Sequence, residues 1–98
     1  MSVIITLEAD IKTNQKENLL IMLREYLPQT KVYKGFIDIS IHTQTNSNHI
    51  LFFEKWETVE DYESYLSWRT KTGVMEKLGM TFETTPTIRY YNTEDYNV

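Results

Sequence analysis

The 98-residue sequence contains no cysteine. That excludes disulfide cross-links, thiolate metal sites and cysteine nucleophiles, and it suits a chain in a reducing compartment. Glycine and proline are sparse, three and two residues, and no glycine-rich phosphate loop, nucleotide fingerprint or nucleophile elbow is present. Cations are outnumbered: 10 Lys and Arg face 14 Asp and Glu, for a formal net charge of −4. Because the acids are spread over both halves, no basic face is available for phosphate contacts, and nucleic acid is not expected as a partner. No stretch approaches the ~20 apolar residues that span a bilayer, and the N-terminus lacks a basic leader. The chain therefore reads as soluble and cytoplasmic, with no membrane partner. The two histidines, His42 and His49, do not have helical metal-ligand spacing, so no metal is expected.

What is present is a regular alternation of strand and helix signals. Val3 to Glu8 is β-branched and reads as a first strand. Thr13 and Asn14, with Glu17 following, mark the start of a helix whose apolar stripe is Leu19, Leu20, Met22, Leu23, Tyr26 and Leu27. Pro28 limits that helix, with one more turn possible through Lys31. Gly35 opens a second strand, Phe36 to Thr43, in which Ile37, Ile39 and Ile41 alternate with Phe36, Asp38, Ser40 and His42. The polar segment Gln44 to Asn48 predicts an antiparallel hairpin into a third strand, Ile50 to Phe53 with Trp56. Thr58, with Asp61 three positions later, predicts an N-cap for a helix from Val59 to about Lys71. Gly73 ends it, Val74 to Leu78 can form one further turn, and a last strand from Thr81 to Tyr91 contains Pro86, which argues for an edge position or a bulge.

The order is βαββαβ, an α+β, ferredoxin-like arrangement with two helices on one face of a four-stranded antiparallel sheet, and residues 1–98 form a single domain. The other face of such a sheet must be wet or meet a partner. Neither Ile37, Ile39 and Ile41 nor Phe52 and Trp56 is polar enough to stay wet as a continuous patch, so a face-to-face homodimer is expected. The tail from Asn92 to Val98 can fray or reach across to the second subunit.

With Gly35-Phe36 opening strand two and Phe53-Glu54-Lys55-Trp56 running into Thr58-Val59-Glu60-Asp61-Tyr62, nearly the whole chain resembles the antibiotic biosynthesis monooxygenase family of dimeric α+β barrels. The resemblance implies a ligand cavity between sheet and helices, and oxygenation of phenolic or quinol-like substrates by O₂ without metal or flavin. The chain departs from many relatives in having Tyr65 and Thr70 where they carry histidines. Regions matching the haem-degrading relatives offer Leu7, Ser64 or Tyr65, and Val74 or Met75, with no histidine after His49. Haem chemistry of that kind is not expected, and no cofactor is.

Within this frame Trp56 can stack on a flat aromatic ligand while its N–H donates one hydrogen bond; the commonplace alternative is a core or dimer anchor. Phe52 and Glu54 share its strand and are candidates for substrate binding. Glu54 is expected to pair with Arg69, Lys55 or Arg89, as a salt bridge at the sheet edge rather than a general base. Tyr62 and Tyr65, three apart on one helix, can face one cavity and donate hydrogen bonds to a substrate oxygen; otherwise they are packing residues. His42 is the acid–base candidate by residue type, near the hairpin, and His49 reads as still more exposed. Two functions follow: a cofactor-independent monooxygenase acting on a small aromatic molecule, or a non-catalytic, dimeric small-molecule binding or stress-related protein of the same fold.

Overall fold

Alternation in two neighbouring strands decides which side of the sheet is covered. A computed structural model describes residues 2–94. In β1 (Val3–Asp10), Val3, Ile5, Leu7 and Ala9 are buried, and in β3 (His49–Trp56) so are Ile50, Phe52, Glu54 and Trp56. These sets lie opposite one another in an antiparallel register, Val3 with Trp56, Ile5 with Glu54, Leu7 with Phe52 and Ala9 with Ile50. In sequence α1 (Lys16–Lys31) and β2 (Phe36–Thr43) lie between these two strands, and α2 (Val59–Lys71), α3 (Val74–Gly79) and β4 (Thr87–Asn92) follow β3. The sheet order is β2-β3-β1-β4 with every pairing antiparallel. This is the expected ferredoxin-like α+β topology, extended by one short third helix.

Apolar side chains from helices and sheet meet in two adjoining clusters. One gathers Leu7, Leu19, Leu23, Phe52, Leu78 and Phe82; the other gathers Val3, Ile5, Trp56 and Tyr62. The Thr58 hydroxyl accepts from the Asp61 N–H at 3.0 Å, and acids in the first turn with cations in the last complement the α2 dipole. Gly35, at φ 87°, makes the turn into β2, and its carbonyl accepts from the Glu57 N–H at 2.8 Å.

Several expectations are corrected. Helix α1 begins after Gln15, which makes no side-chain cap, because Asn14 turns away at φ 68°. Its far end is the one allowed for, since the turn after Pro28 forms and the helix runs to Lys31 with the proline on its exposed side. A bulge between Phe36 and Asp38 shifts the alternation of β2, so Phe36 pairs with Trp56 and lies with Ile39 and Ile41 on the helix-covered side, while Ile37 is exposed. The last strand starts only at Thr87; Phe82 makes an isolated bridge to Ile11, and Pro86 precedes the strand, which is an edge of the sheet.

Ile39, Ile41, Phe52 and Trp56 therefore all pack under the helices. The uncovered face instead carries Ile4, Leu51, Phe53 and Tyr91, with Thr6 among them. Expectations for Asp95 to Val98 lie outside the described residues. Among the described residues no helix is long and apolar enough to cross a membrane.

Candidate functional site

Helix α2 carries Tyr62, Tyr65, Leu66 and Arg69 at helical spacing, and this stripe faces the covered side of the sheet. Between it, α1, α3 and the sheet lies a narrow cavity lined on its polar side by Thr30, Glu54, Tyr62, Tyr65 and Arg69. Phe52, Leu23, Leu27, Ile39 and Met75 supply apolar wall. Its water-accessible volume is about 40 Å³. That accommodates a few waters at ~10–15 Å³ each, so an aromatic ring requires side-chain movement, for which the unbranched, half-buried Met75 is well suited.

Glu54 is the chemically unusual member. Its side chain is 4% exposed, and no cation among the described residues comes within 4.0 Å. The expected salt bridge is not formed: Lys55 points to the opposite face, Arg89 bonds Glu8 at 2.9 Å, and Arg69 is engaged elsewhere. The Glu54 carboxylate instead accepts from the Trp56 indole N–H at 3.0 Å. Burial pushes its pKa up to about 7, against the smaller opposing effect of that bond. A carboxyl in this condition is a base poised at neutral pH.

Trp56 has no exposed surface and does not line the cavity. Its ring is enclosed by Phe36, Tyr62 and Tyr65 at centroid distances of 5.5, 5.7 and 5.0 Å. In this arrangement it packs beneath the site and orients Glu54, and it offers no face to a ligand. Tyr62 and Tyr65 do line one cavity, with ring centroids 6.3 Å apart. Burial first, then the charge on Glu54, holds the Tyr62 phenol well above its ordinary range, so it serves as a hydrogen-bond donor and not as a phenolate. The Tyr65 hydroxyl lies 2.7 Å from Thr30 Oγ1 and accepts from Arg69 Nε at 3.0 Å.

The histidines are elsewhere. His42 is exposed on the uncovered face, 2.8 Å from Ser40 Oγ, and cannot serve as acid or base in the cavity. His49 is the more enclosed of the two, contrary to expectation: its Nε2 lies 2.9 Å from Glu8 and its Nδ1 2.9 Å from Asp10. Among the described residues no group of His, Cys, Asp and Glu could hold a metal.

Arg69 was legible in the sequence only as a partner for Glu54. The signal that distinguishes it is position: it lies seven residues after Tyr62, on the stripe that faces the sheet, where an apolar residue is the norm.

The topology and the cavity between sheet and helices define the fold of the antibiotic biosynthesis monooxygenases. The chain is similar to the crystal structure of an antibiotic biosynthesis monooxygenase (TM-score 0.82, 13% identity, covering 94% of this chain and 98% of that one). It is also similar to a Streptomyces coelicolor monooxygenase solved with the ligand nanaomycin D (TM-score 0.80, 11% identity, 99% and 91% covered). A conserved protein from Methanosarcina mazei Go1 aligns at a TM-score of 0.86 and 12% identity, over 96% and 94% of the two chains. At these identities the likeness is one of fold. No family model and no curated protein matches the sequence.

Proposed function

We propose that the chain is a monooxygenase that uses O₂ and the electrons of a small phenolic or quinol-like substrate held in this cavity. The observation that carries the reading is the buried Glu54 carboxyl, poised near neutrality in one cavity with the Tyr62 and Tyr65 hydroxyls. Glu54 takes the phenolic proton, and the electron-rich ring carbon opposite the phenolate oxygen adds O₂ to give a peroxide anion. Loss of that carbon's hydrogen with cleavage of the O–O bond gives a quinone and one water. Glu54 returns its proton to the departing oxygen, and Tyr62 donates a hydrogen bond to the peroxide. The fold shared with the Streptomyces monooxygenase supports the assignment.

The second reading, a small-molecule binding protein without turnover, is favoured by the enclosure of Trp56 and by the Tyr65 hydroxyl's existing bonds to Thr30 and Arg69. Oxygen uptake with 1-naphthol and anthrone-like phenols, in which the ring carbon opposite the oxygen carries hydrogen, separates the two. Turnover that disappears in folded Glu54→Gln and falls in Tyr62→Phe supports the oxygenase; saturable binding with no uptake by wild type supports the binding protein.

The proposal includes a second copy over the uncovered sheet face. Phe53 and Tyr91 there are 43% and 45% exposed beside Ile4 and Leu51, an apolar patch that a partner would dry. Light scattering of wild type and Phe53→Lys tests it, with a dimer expected for the first and a monomer for the second.

A further inference from the structure

Arg69 is 1% exposed and is among the largest fully buried side chains of the protein. Its bonds all go to neutral acceptors. Nε donates to the Tyr65 hydroxyl at 3.0 Å and Nη1 to Gln29 Oε1 at 3.0 Å, while Nη2 donates to the Tyr26 carbonyl at 2.7 Å and to Thr30 Oγ1 at 2.9 Å. The guanidinium also lies over the rings of Trp68, Tyr65 and Tyr26, at 4.4, 5.3 and 5.6 Å from their centroids. No carboxylate among the described residues comes within 4.0 Å of it.

A guanidinium cannot shed its charge by deprotonation, so burial leaves a full positive charge in a low-dielectric wall. Aromatic faces and the carbonyl end of α1 offset it in part; an anion would offset it fully. Four of its five N–H groups are used by the protein, and the remaining one is on Nη1. Arg69 lines the same cavity as Glu54 and Tyr62. Seven residues along α2 separate it from Tyr62, roughly 10 Å at ~1.5 Å per residue, so the cavity is cationic at one end and holds a proton acceptor at the other.

From this polarity we infer that the ligand is a small aromatic acid, with its carboxylate at Arg69 and its phenolic hydroxyl at the Glu54–Tyr62 end. The inference rests on the cavity being the substrate site proposed above, and it names the substrate class. The leucine, isoleucine and phenylalanine walls match a ring, and the single cation among the described residues of the cavity, Arg69, sets the ligand's direction. If Arg69 were only a clamp joining α2 to α1, an acid and its neutral amide would bind alike.

Titrating wild-type protein with gentisate, gentisamide and hydroquinone at pH 6, followed by calorimetry, tests the inference. We expect gentisate to bind at least about tenfold more tightly than gentisamide, and Arg69→Met to reduce that preference to about twofold or less. Arg69→Lys, which keeps the charge, should retain part of it. Equal affinity of wild type for acid and amide, or no saturable binding of gentisate, overturns the inference. The wild-type comparison stands even if a variant does not fold. Oxygen uptake with 1-naphthol, whose ring carbon opposite the hydroxyl carries hydrogen, reports separately on the oxygenase: acid preference without uptake overturns that activity and leaves the acid site, and uptake without acid preference does the reverse.

Discussion

The indole N–H of Trp56 donates to Oε1 of Glu54 at 3.0 Å, two residues back on the same face of β3, with both side chains buried. The carboxyl is thus held in place by a neutral donor and no cation, so its ionisation opposes folding. Its pKa rises from 4.5 to about 7 on folding. Between these values the native state holds a proton that the unfolded state has lost, so this group's contribution is fully present below about pH 4.5 and is lost as pH rises through 7. The loss amounts to roughly 3 kcal/mol. Glu54→Gln should therefore match wild type at pH 4.5 and be more stable by up to that amount at pH 8.5, as read from urea unfolding at the two values.

A second titration has a different sense. His49 is raised above 6.5 by its hydrogen bonds to Glu8 and then Asp10, and Glu8 is lowered below 4.5, chiefly by His49. The histidine's contribution is present below pH 6.5 and lost as pH climbs through its folded value, while that of Glu8 is present above 4.5 and lost as pH falls through its own. His49→Gln should lower the urea midpoint most near pH 6, with the gap to wild type closing by pH 9.

Gly35 should not tolerate a side chain. Its φ of 87° is left-handed, and a Cβ there would run into the Asp61 carboxyl group in the first turn of α2. Backbone strain alone costs roughly 1–2 kcal/mol, and the collision adds to it. Gly35→Ala should show a clearly lowered melting temperature, whereas Gly79→Ala, where a Cβ meets nothing within 4 Å, should not.

Thr6 points to the uncovered face between Phe53 and Arg89 on the neighbouring strands, and its buried hydroxyl has no hydrogen-bond partner among the described residues. An orphaned buried hydroxyl costs ~1–3 kcal/mol, so the isosteric Thr6→Val should stabilise the chain by about 1 kcal/mol in denaturant unfolding.

Much of the architecture was readable from local signals. The Thr58 cap and the bounds of α2, the hairpin between β2 and β3, and the short turn after Gly73 all depend on residues within a few positions of one another. The errors fall where a distant contact overrides the local pattern. The one-residue bulge before Asp38 moved Phe36 to the covered face, and docking of Phe82 against Ile11 delayed the last strand to Thr87. For the site, helical spacing was enough to bring Tyr62 and Tyr65 together, but type alone misplaced His42 and left Arg69 as one of three partners for Glu54.

By itself the sequence determined the βαββαβ order, the lack of thiol chemistry and the tyrosine stripe of α2, because composition and period-2 or 3.6-residue repeats act along the chain. Tertiary structure alone decided that Glu54 is buried without a cation, that Trp56 lies beneath the cavity, and that Arg69 enters its wall. Burial and electrostatic partnership arise across strands and helices far apart in sequence, and it is the resulting desolvation that gives a carboxyl and a guanidinium their chemistry.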